Sequence, residues 1–206
     1  MIKKEKVIPL IKNALEEDIR EGDHSSIACI PNSEIGRAKL LIKENGIIAG
    51  IELAKWIFEY INPSLKVQMH LKDGDPVKKG DIAFTVEGPA ISLLSGERLV
   101  LNSMQRMSAI ATKTNHYVKI LRGTKTTVLD TRKTTPGIRI LEKWAVKIGG
   151  GQNHRFGLFD MIMLKDNHMD FAGGIEQAIT KVKNYLKNNK LNLKVEVEAR
   201  NIHEVK

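Results

Sequence analysis

The chain has 206 residues, 42% of them hydrophobic, with a formal net charge of +9. That is enough material for one large or two modest domains with a proper core, and no stretch approaches the roughly 18 to 20 uninterrupted apolar residues of a membrane span. The N-terminus, Met1-Ile2-Lys3-Lys4-Glu5-Lys6, has no hydrophobic leader core behind it, so a cytoplasmic protein is expected, and the dispersed lysines with only 5% aromatics give no stacking platform for nucleic acid.

Val7, Ile8, Leu10, Ile11, Ala14, Leu15 and Ile19 follow helical spacing until Gly22, which predicts a first amphipathic helix. The lone Cys29 has no partner for a disulfide or a metal and is expected to be a small buried hydrophobe. Between residues 36 and 90 the rhythm changes to short antiparallel strands. Ala38, Leu40 and Ile42 alternate before Asn45-Gly46, Val67, Met69 and Leu71 before Asp73-Gly74, and Ile82, Phe84 and Val86 after Gly80-Asp81. Ala54, Ile57, Phe58 and Ile61 mark a helix among them, ended by Asn62-Pro63.

Helical spacing returns with Leu93, Leu94, Leu101, Met104, Ile110 and Ala111, and again in a run from Tyr117 to Leu121 that stops at Gly123. Met104 and Met107 read as core filler. Beyond Gly123 an apolar strand, a charged loop and an amphipathic helix repeat as a unit. Thr126 to Leu129 leads into Asp130 to Lys133 and a helix with Leu141, Trp144, Ala145 and Ile148. Met161 to Leu164 leads into Lys165 to His168 and a helix with Ile175, Ala178, Ile179, Val182 and Leu186, and Leu193 to Val197 forms a third strand. The pattern is βαβαβ, hence an α/β fold with a parallel sheet. Lys181, Lys183, Lys187 and Lys190 read as the solvated face of the last helix.

In a parallel arrangement the carboxyl ends of neighbouring strands point one way, so Arg132, Lys133, Lys165 and Glu196 are expected on one face as a pocket for an anionic ligand. The six histidines show no metal spacing, and a zinc site is not expected. Several residues keep two readings. Glu97 and Arg98 can be an ordinary surface pair. Glu196 and Glu198 share a side of their strand, so either can be a ligand. His168 can cap the next segment or touch substrate, and Gly149 to Gly151 can cradle a phosphate or end a helix.

Four segments, in order, resemble the quinolinate phosphoribosyltransferase family, also called nicotinate-nucleotide pyrophosphorylase (carboxylating). They are Ala14-Leu15-Glu16-Glu17-Asp18 with Gly22-Asp23; Glu97-Arg98 with Leu101-Asn102 and Ala109-Ile110-Ala111-Thr112; Asp130 through Pro136-Gly137 and Lys143-Trp144-Ala145-Val146 to Gly149-Gly150-Gly151-Gln152-Asn153-His154-Arg155; and Lys165-Asp166-Asn167-His168 followed by Val195-Glu196-Val197-Glu198. The resemblance implies an N-terminal α/β sandwich domain, residues 1–112, followed by an incomplete α/β barrel, residues 113–206, which holds the site. Three strands cannot close such a barrel, and the family's further strands, with a second acidic ligand and glycine-containing phosphate loops, have no match after Glu198. The chain therefore reads as truncated at its C-terminus.

The implied reaction joins quinolinate to phosphoribosyl pyrophosphate and releases pyrophosphate and carbon dioxide, giving nicotinate mononucleotide for NAD biosynthesis. Carried over by position, Arg132, His154, Arg155 and Lys165 are the implied ligands of the quinolinate carboxylates. Lys133, with Thr131 beside it, is the implied ligand of the phosphoribosyl phosphates. Glu196 is implied in the Mg2+ and ribose site, and Arg98 as a residue entering the neighbouring subunit's site in a homodimer or higher even oligomer. Lys133 and Glu196 are the implied catalytic pair. Three alternatives are a molybdenum-transport-linked paralogue, a truncated chain that binds without catalysing, and a carrier module. The last rests on Gly74-Asp75-Pro76-Val77-Lys78-Lys79-Gly80-Asp81, which resembles a biotinyl or lipoyl turn but has no lysine in the modified context.

Overall fold

A computed structural model describes residues 2–205, in two compact units, Met1–Asn153 and His154–Lys206. In the first, a turn of 3-10 helix at Lys4–Lys6 leads into α1 (Ile8–Asp18), where Pro9 occupies the first turn and so forfeits no helical hydrogen bond. Val7 and Ile11 are buried. A short helix, α2 (His24–Cys29), follows; the sequence patterning did not predict it. Its cap is Asp23, whose carboxylate accepts from the Ser26 N–H at 3.1 Å and the Ser26 hydroxyl at 2.5 Å. Cys29 is exposed on this helix, contrary to expectation, because six residues give it no apolar face to share.

The antiparallel strands form as expected. β1 (Ile35–Leu41) pairs along its length with β5 (Ile82–Pro89), and β3 (Lys66–Met69) lies on the other edge of β5, giving the order β1-β5-β3. A second small pair, β2 (Gly46–Ile47) with β4 (Pro76–Val77), brackets α3 (Ile51–Ile61) in the chain. The N-terminus of α3 is capped from afar. Gly50 takes the left-handed conformation, and the Asp73 carboxylate accepts from the N–H groups of Gly50, Ile51 and Glu52 at 2.6, 2.9 and 3.4 Å. Burial raises this carboxyl above its ordinary value, against the lowering pull of those three donors.

One uninterrupted helix, α4 (Ala90–Ile120), replaces the two helical runs read from the sequence. The polar stretch between them continues the helix because Ala111 and Thr114 face the next helix and are buried there. That helix, α5 (Arg139–Ile148), stacks Trp144 on Trp56 with ring centroids 5.4 Å apart, and Met104 and Met107 fill the core as expected.

The strand expected at Thr126 to Leu129 is reduced to a single parallel bridge from Leu129 to Gln152. The ladder stops there because its partner, Gly149 to Gln152, is the exit of a helix and not a strand. In the second unit β6 (Ile162–Leu164) pairs in parallel with β7 (Val195–Val197), and α6 (Asp166–Ala172) and α7 (Ile175–Asn188) connect them over a small core of Leu164, Met169 and Ala178. This is a parallel β-α-α-β crossover, so the chain has an α/β fold. The four lysines at 181, 183, 187 and 190 are exposed, as expected.

Candidate active site

In the first unit, α5 grips both ends of the segment that carries Arg132 and Lys133. At the front, Lys143 forms an ion pair with Asp130, and both side chains are buried, 2% and 7% exposed. The Asn153 side chain, oriented so that its nitrogen donates, reaches the other Asp130 oxygen and the Lys143 carbonyl, each at 2.8 Å. At the back, Arg139 Nε donates to Thr134 Oγ1 at 3.0 Å, and Glu142 accepts from the Thr135 N–H at 3.1 Å and its hydroxyl at 2.9 Å. Arg106 of α4 adds two bonds to Glu142, from Nε at 2.9 Å and Nη2 at 2.7 Å. Burial alone would raise the Glu142 carboxyl, but the hydrogen bonds from Arg106 and Thr135 together outweigh it and hold the group below its ordinary range.

Between these two anchors Thr131 Oγ1 accepts the Lys133 N–H at 3.0 Å, a local turn that leaves both side chains exposed. Arg132 is half-buried, and its Nε is buried with no hydrogen-bond partner among the described residues. An N–H donor in that state costs about 1 to 3 kcal/mol, so the position is suited to a ligand that supplies an acceptor.

The second unit carries the other charged residues. His154 Nε2 lies 2.8 Å from Glu196 Oε2, and since a carboxylate can only accept, the imidazole donates through Nε2. Lys165 Nζ donates to Glu198 Oε2 at 2.6 Å. The two glutamates that share a strand side are thus both engaged, Glu196 by His154 and Glu198 by Lys165. The Lys165–Glu198 pair is 45% and 62% exposed, so it contributes at most about 1 kcal/mol and yields readily to an anionic ligand. Arg155 Nη1 donates to the Met161 carbonyl at 3.4 Å, and Asp160 ties the intervening turn by accepting from the N–H groups of Phe156 and Gly157.

Lys165 to His168 is not a loop, as the sequence had implied. Lys165 is the N-cap of α6, and His168 Nδ1 accepts the Lys165 N–H at 2.9 Å, so the capping reading of His168 is the one observed. Gly149 to Gly151 follow the last turn of α5, where close contact excludes a larger residue at Gly149. A β-carbon on Gly149 would stand 2.5 Å from the Ala111 carbonyl oxygen and 2.7 Å from Thr114 Cβ. Arg98 is exposed on α4. Two grooves of about 370 and 710 Å3 open on the first unit, and neither is lined by any of the predicted site residues. Among the described residues no group of three or more His, Cys, Asp or Glu is arranged to hold a metal. No helix there is long and apolar enough to cross a membrane.

Sequence reasoning missed Lys143, Asn153, Glu142 and Arg106. The only signal was two charges, Glu142 and Lys143, beside Leu141, Trp144 and Ala145, a position where helical spacing buries at least one of them.

Two family models match the chain in succession, quinolinate phosphoribosyl transferase N-terminal domain over residues 23–108 and its C-terminal domain over residues 110–206. The chain belongs to the quinolinate phosphoribosyltransferase family. It is 50% identical over 197 residues to quinolinate phosphoribosyltransferase [decarboxylating] 1b of Nicotiana tabacum, covering 95% of this chain and 56% of that protein. It is 43% identical over 190 residues to the probable nicotinate-nucleotide pyrophosphorylase [carboxylating] of Bacillus subtilis (strain 168), covering 92% and 65%. The crystal structure of NadC from Streptococcus pyogenes superposes with a TM-score of 0.91 at 36% identity, over 99% of this chain and 71% of that one. This member of the quinolinate phosphoribosyltransferase family therefore spans little more than half the length of the tobacco relative it matches.

Proposed function

We propose that the chain carries out phosphoribosyl transfer from phosphoribosyl pyrophosphate to quinolinate, with loss of carbon dioxide, as a step of NAD biosynthesis. The observation that carries this reading is the buried Arg132 Nε without an acceptor, on the segment that resembles the family's quinolinate ligands. Arg132, His154, Arg155 and Lys165 bind the two carboxylates, with planar guanidinium groups suited to bidentate contact. Each charge-assisted bond contributes about 1.5 to 3 kcal/mol, more than the exposed pair Lys165 gives up. Thr131 and Lys133 take the phosphates of the second substrate.

In the reaction the pyridine nitrogen donates its lone pair to the ribose anomeric carbon as the bond to pyrophosphate breaks. Lys133 offsets charge on the departing group, and Glu196 faces the cationic ribose. The ring nitrogen, now cationic, stabilises by its charge the electron pair left on the adjacent carbon when the carboxylate departs as carbon dioxide, and that pair then takes a proton from solvent. The half-exposed Glu196 carboxylate fits a hard cation such as Mg2+ that takes its other ligands from water and substrate phosphate. When bound, Mg2+ supplies neutralisation of the pyrophosphate charge. His154 holds the Glu196 carboxylate in place for either role. Arg98, exposed on α4, enters the site of a second subunit in a homodimer, and the cytoplasm is the proposed location, although an Arabidopsis thaliana relative is named chloroplastic.

Calorimetric titration of the chain with quinolinate and with nicotinate tests the reading. Quinolinate binds more tightly, and Arg132→Ala weakens it by about 2 to 5 kcal/mol, which is roughly 30-fold or more. Equal affinity of parent and variant would refute it.

A further inference from the structure

The structure assigns a positioning role to the buried triad of Asp130, Lys143 and Asn153, none of which binds substrate in the reading above, on which this inference rests. Lys143 projects from α5 into the protein between Leu141 and Trp144, both core residues. An ammonium group so placed is tolerated only with a close partner, which Asp130 provides. The second Asp130 oxygen is taken by the Asn153 amide, whose other hydrogen goes to the Lys143 carbonyl, so one side chain closes the set. The backbone adds to it, because the Asp130 N–H donates to the Gln152 carbonyl at 3.1 Å.

As a source of stability this is a poor arrangement. Replacing a buried ion pair by apolar residues of similar volume is often neutral or stabilising, since the desolvation cost disappears with the charges. What the triad provides and apolar packing does not is direction. Asp130 is the residue before Thr131-Arg132-Lys133, and Asn153 is the residue before His154-Arg155. The backbone from which Arg132 and Lys133 depart is therefore fixed to one buried point, as is the last residue before His154. At the far end of the same segment, Arg139 and Glu142 hold Thr134 and Thr135. α5 is thus a clamp with Lys143 as one jaw and Arg139 with Glu142 as the other, and the two cations lie between them. Such rigid support matters because a displacement of about 1 Å at a binding group costs on the order of 100-fold in rate.

The test removes the charges and keeps the packing. In the double variant Lys143→Met/Asp130→Leu the melting temperature stays at or above that of the parent, while quinolinate affinity measured by calorimetry falls at least about tenfold. Arg132→Ala then costs less in the double variant than in the parent, because the arginine is already misplaced; a purely structural triad would leave that increment unchanged. Asn153→Ala keeps the ion pair and gives an independent reading, with affinity expected to fall at least about threefold. Parent-like affinity in the stable double variant, or in Asn153→Ala, overturns the positioning role alone. A parent chain that does not bind quinolinate overturns the proposed function, and this role with it.

Discussion

Glu142 anchors the back of the Arg132 segment, and removing only its charge tests how much that anchor contributes. In Glu142→Gln the shape is kept, but both Arg106 bonds lose charge assistance and one acceptor oxygen becomes an NH2 group facing donors. A bond to a charged group is worth about 1 kcal/mol more than a neutral one, which gives about 3 kcal/mol for the two bonds and the reversed donor. Arg106 is 53% exposed, so water recovers part of this and about 2 kcal/mol remains. For a chain of 206 residues that corresponds to a fall in melting temperature of about 4 to 8 °C at pH 7. The pH dependence adds a second constraint. The folded carboxyl titrates below its ordinary value of 4.5, so its contribution is full above that value and is lost as pH falls through the depressed one. Melting curves of parent and variant, followed by circular dichroism, should differ at pH 7 and converge as pH drops below 4.5. A difference that persists unchanged into acid, or none at pH 7, would refute the account.

Lys165→Ala should leave the melting temperature within about 3 °C of the parent, because an exposed pair contributes no more than about 1 kcal/mol, yet quinolinate affinity measured by calorimetry should fall by at least about tenfold. Gly149→Ala should lower the melting temperature by several degrees, on the order of 1 to 3 kcal/mol, because the new methyl meets the Ala111 backbone; an unchanged curve would show that α4 can give way. Cys29, exposed on α2, should react stoichiometrically with a thiol reagent in the native chain, read by intact mass, and protection until denaturant is added would place it in the interior after all.

The elements legible in the sequence are those whose signal is local. Alternation at Phe84 and Val86 survives as β5 because that face is buried, and alternation at Ala38 and Leu40 survives as β1 because they pair in register with Val86 and Phe84, although no residue of β1 is itself buried. Helical spacing at Ala54, Ile57 and Phe58 survives because α3 presents that face to the core. Failures occurred where a distant residue decides. The strand at Thr126 to Leu129 has the right composition, but its partner at Gln152 is a helix exit, and nothing local reveals that. The α3 cap comes from Asp73, more than twenty residues later, so the start of α3 carries no capping residue of its own.

The charged residues of the candidate site divide along the same line. Arg132, Lys133 and Lys165 stand out as candidates in the sequence because a cation just after an apolar run is locally visible. Lys143 was passed over because a lysine in a helix usually points to solvent, and helical spacing alone left it on the flank of the Leu141, Trp144 and Ala145 stripe. Only its partner thirteen residues upstream turns that lysine from a solvated charge into a buried tether. A sequence shows which groups can meet a ligand more readily than which groups hold them still, because the first depends on exposure after a strand and the second on pairs that the fold alone brings together. The buried charges on α5, not the exposed ones on α7, are therefore where substitutions should alter binding without touching the ligand.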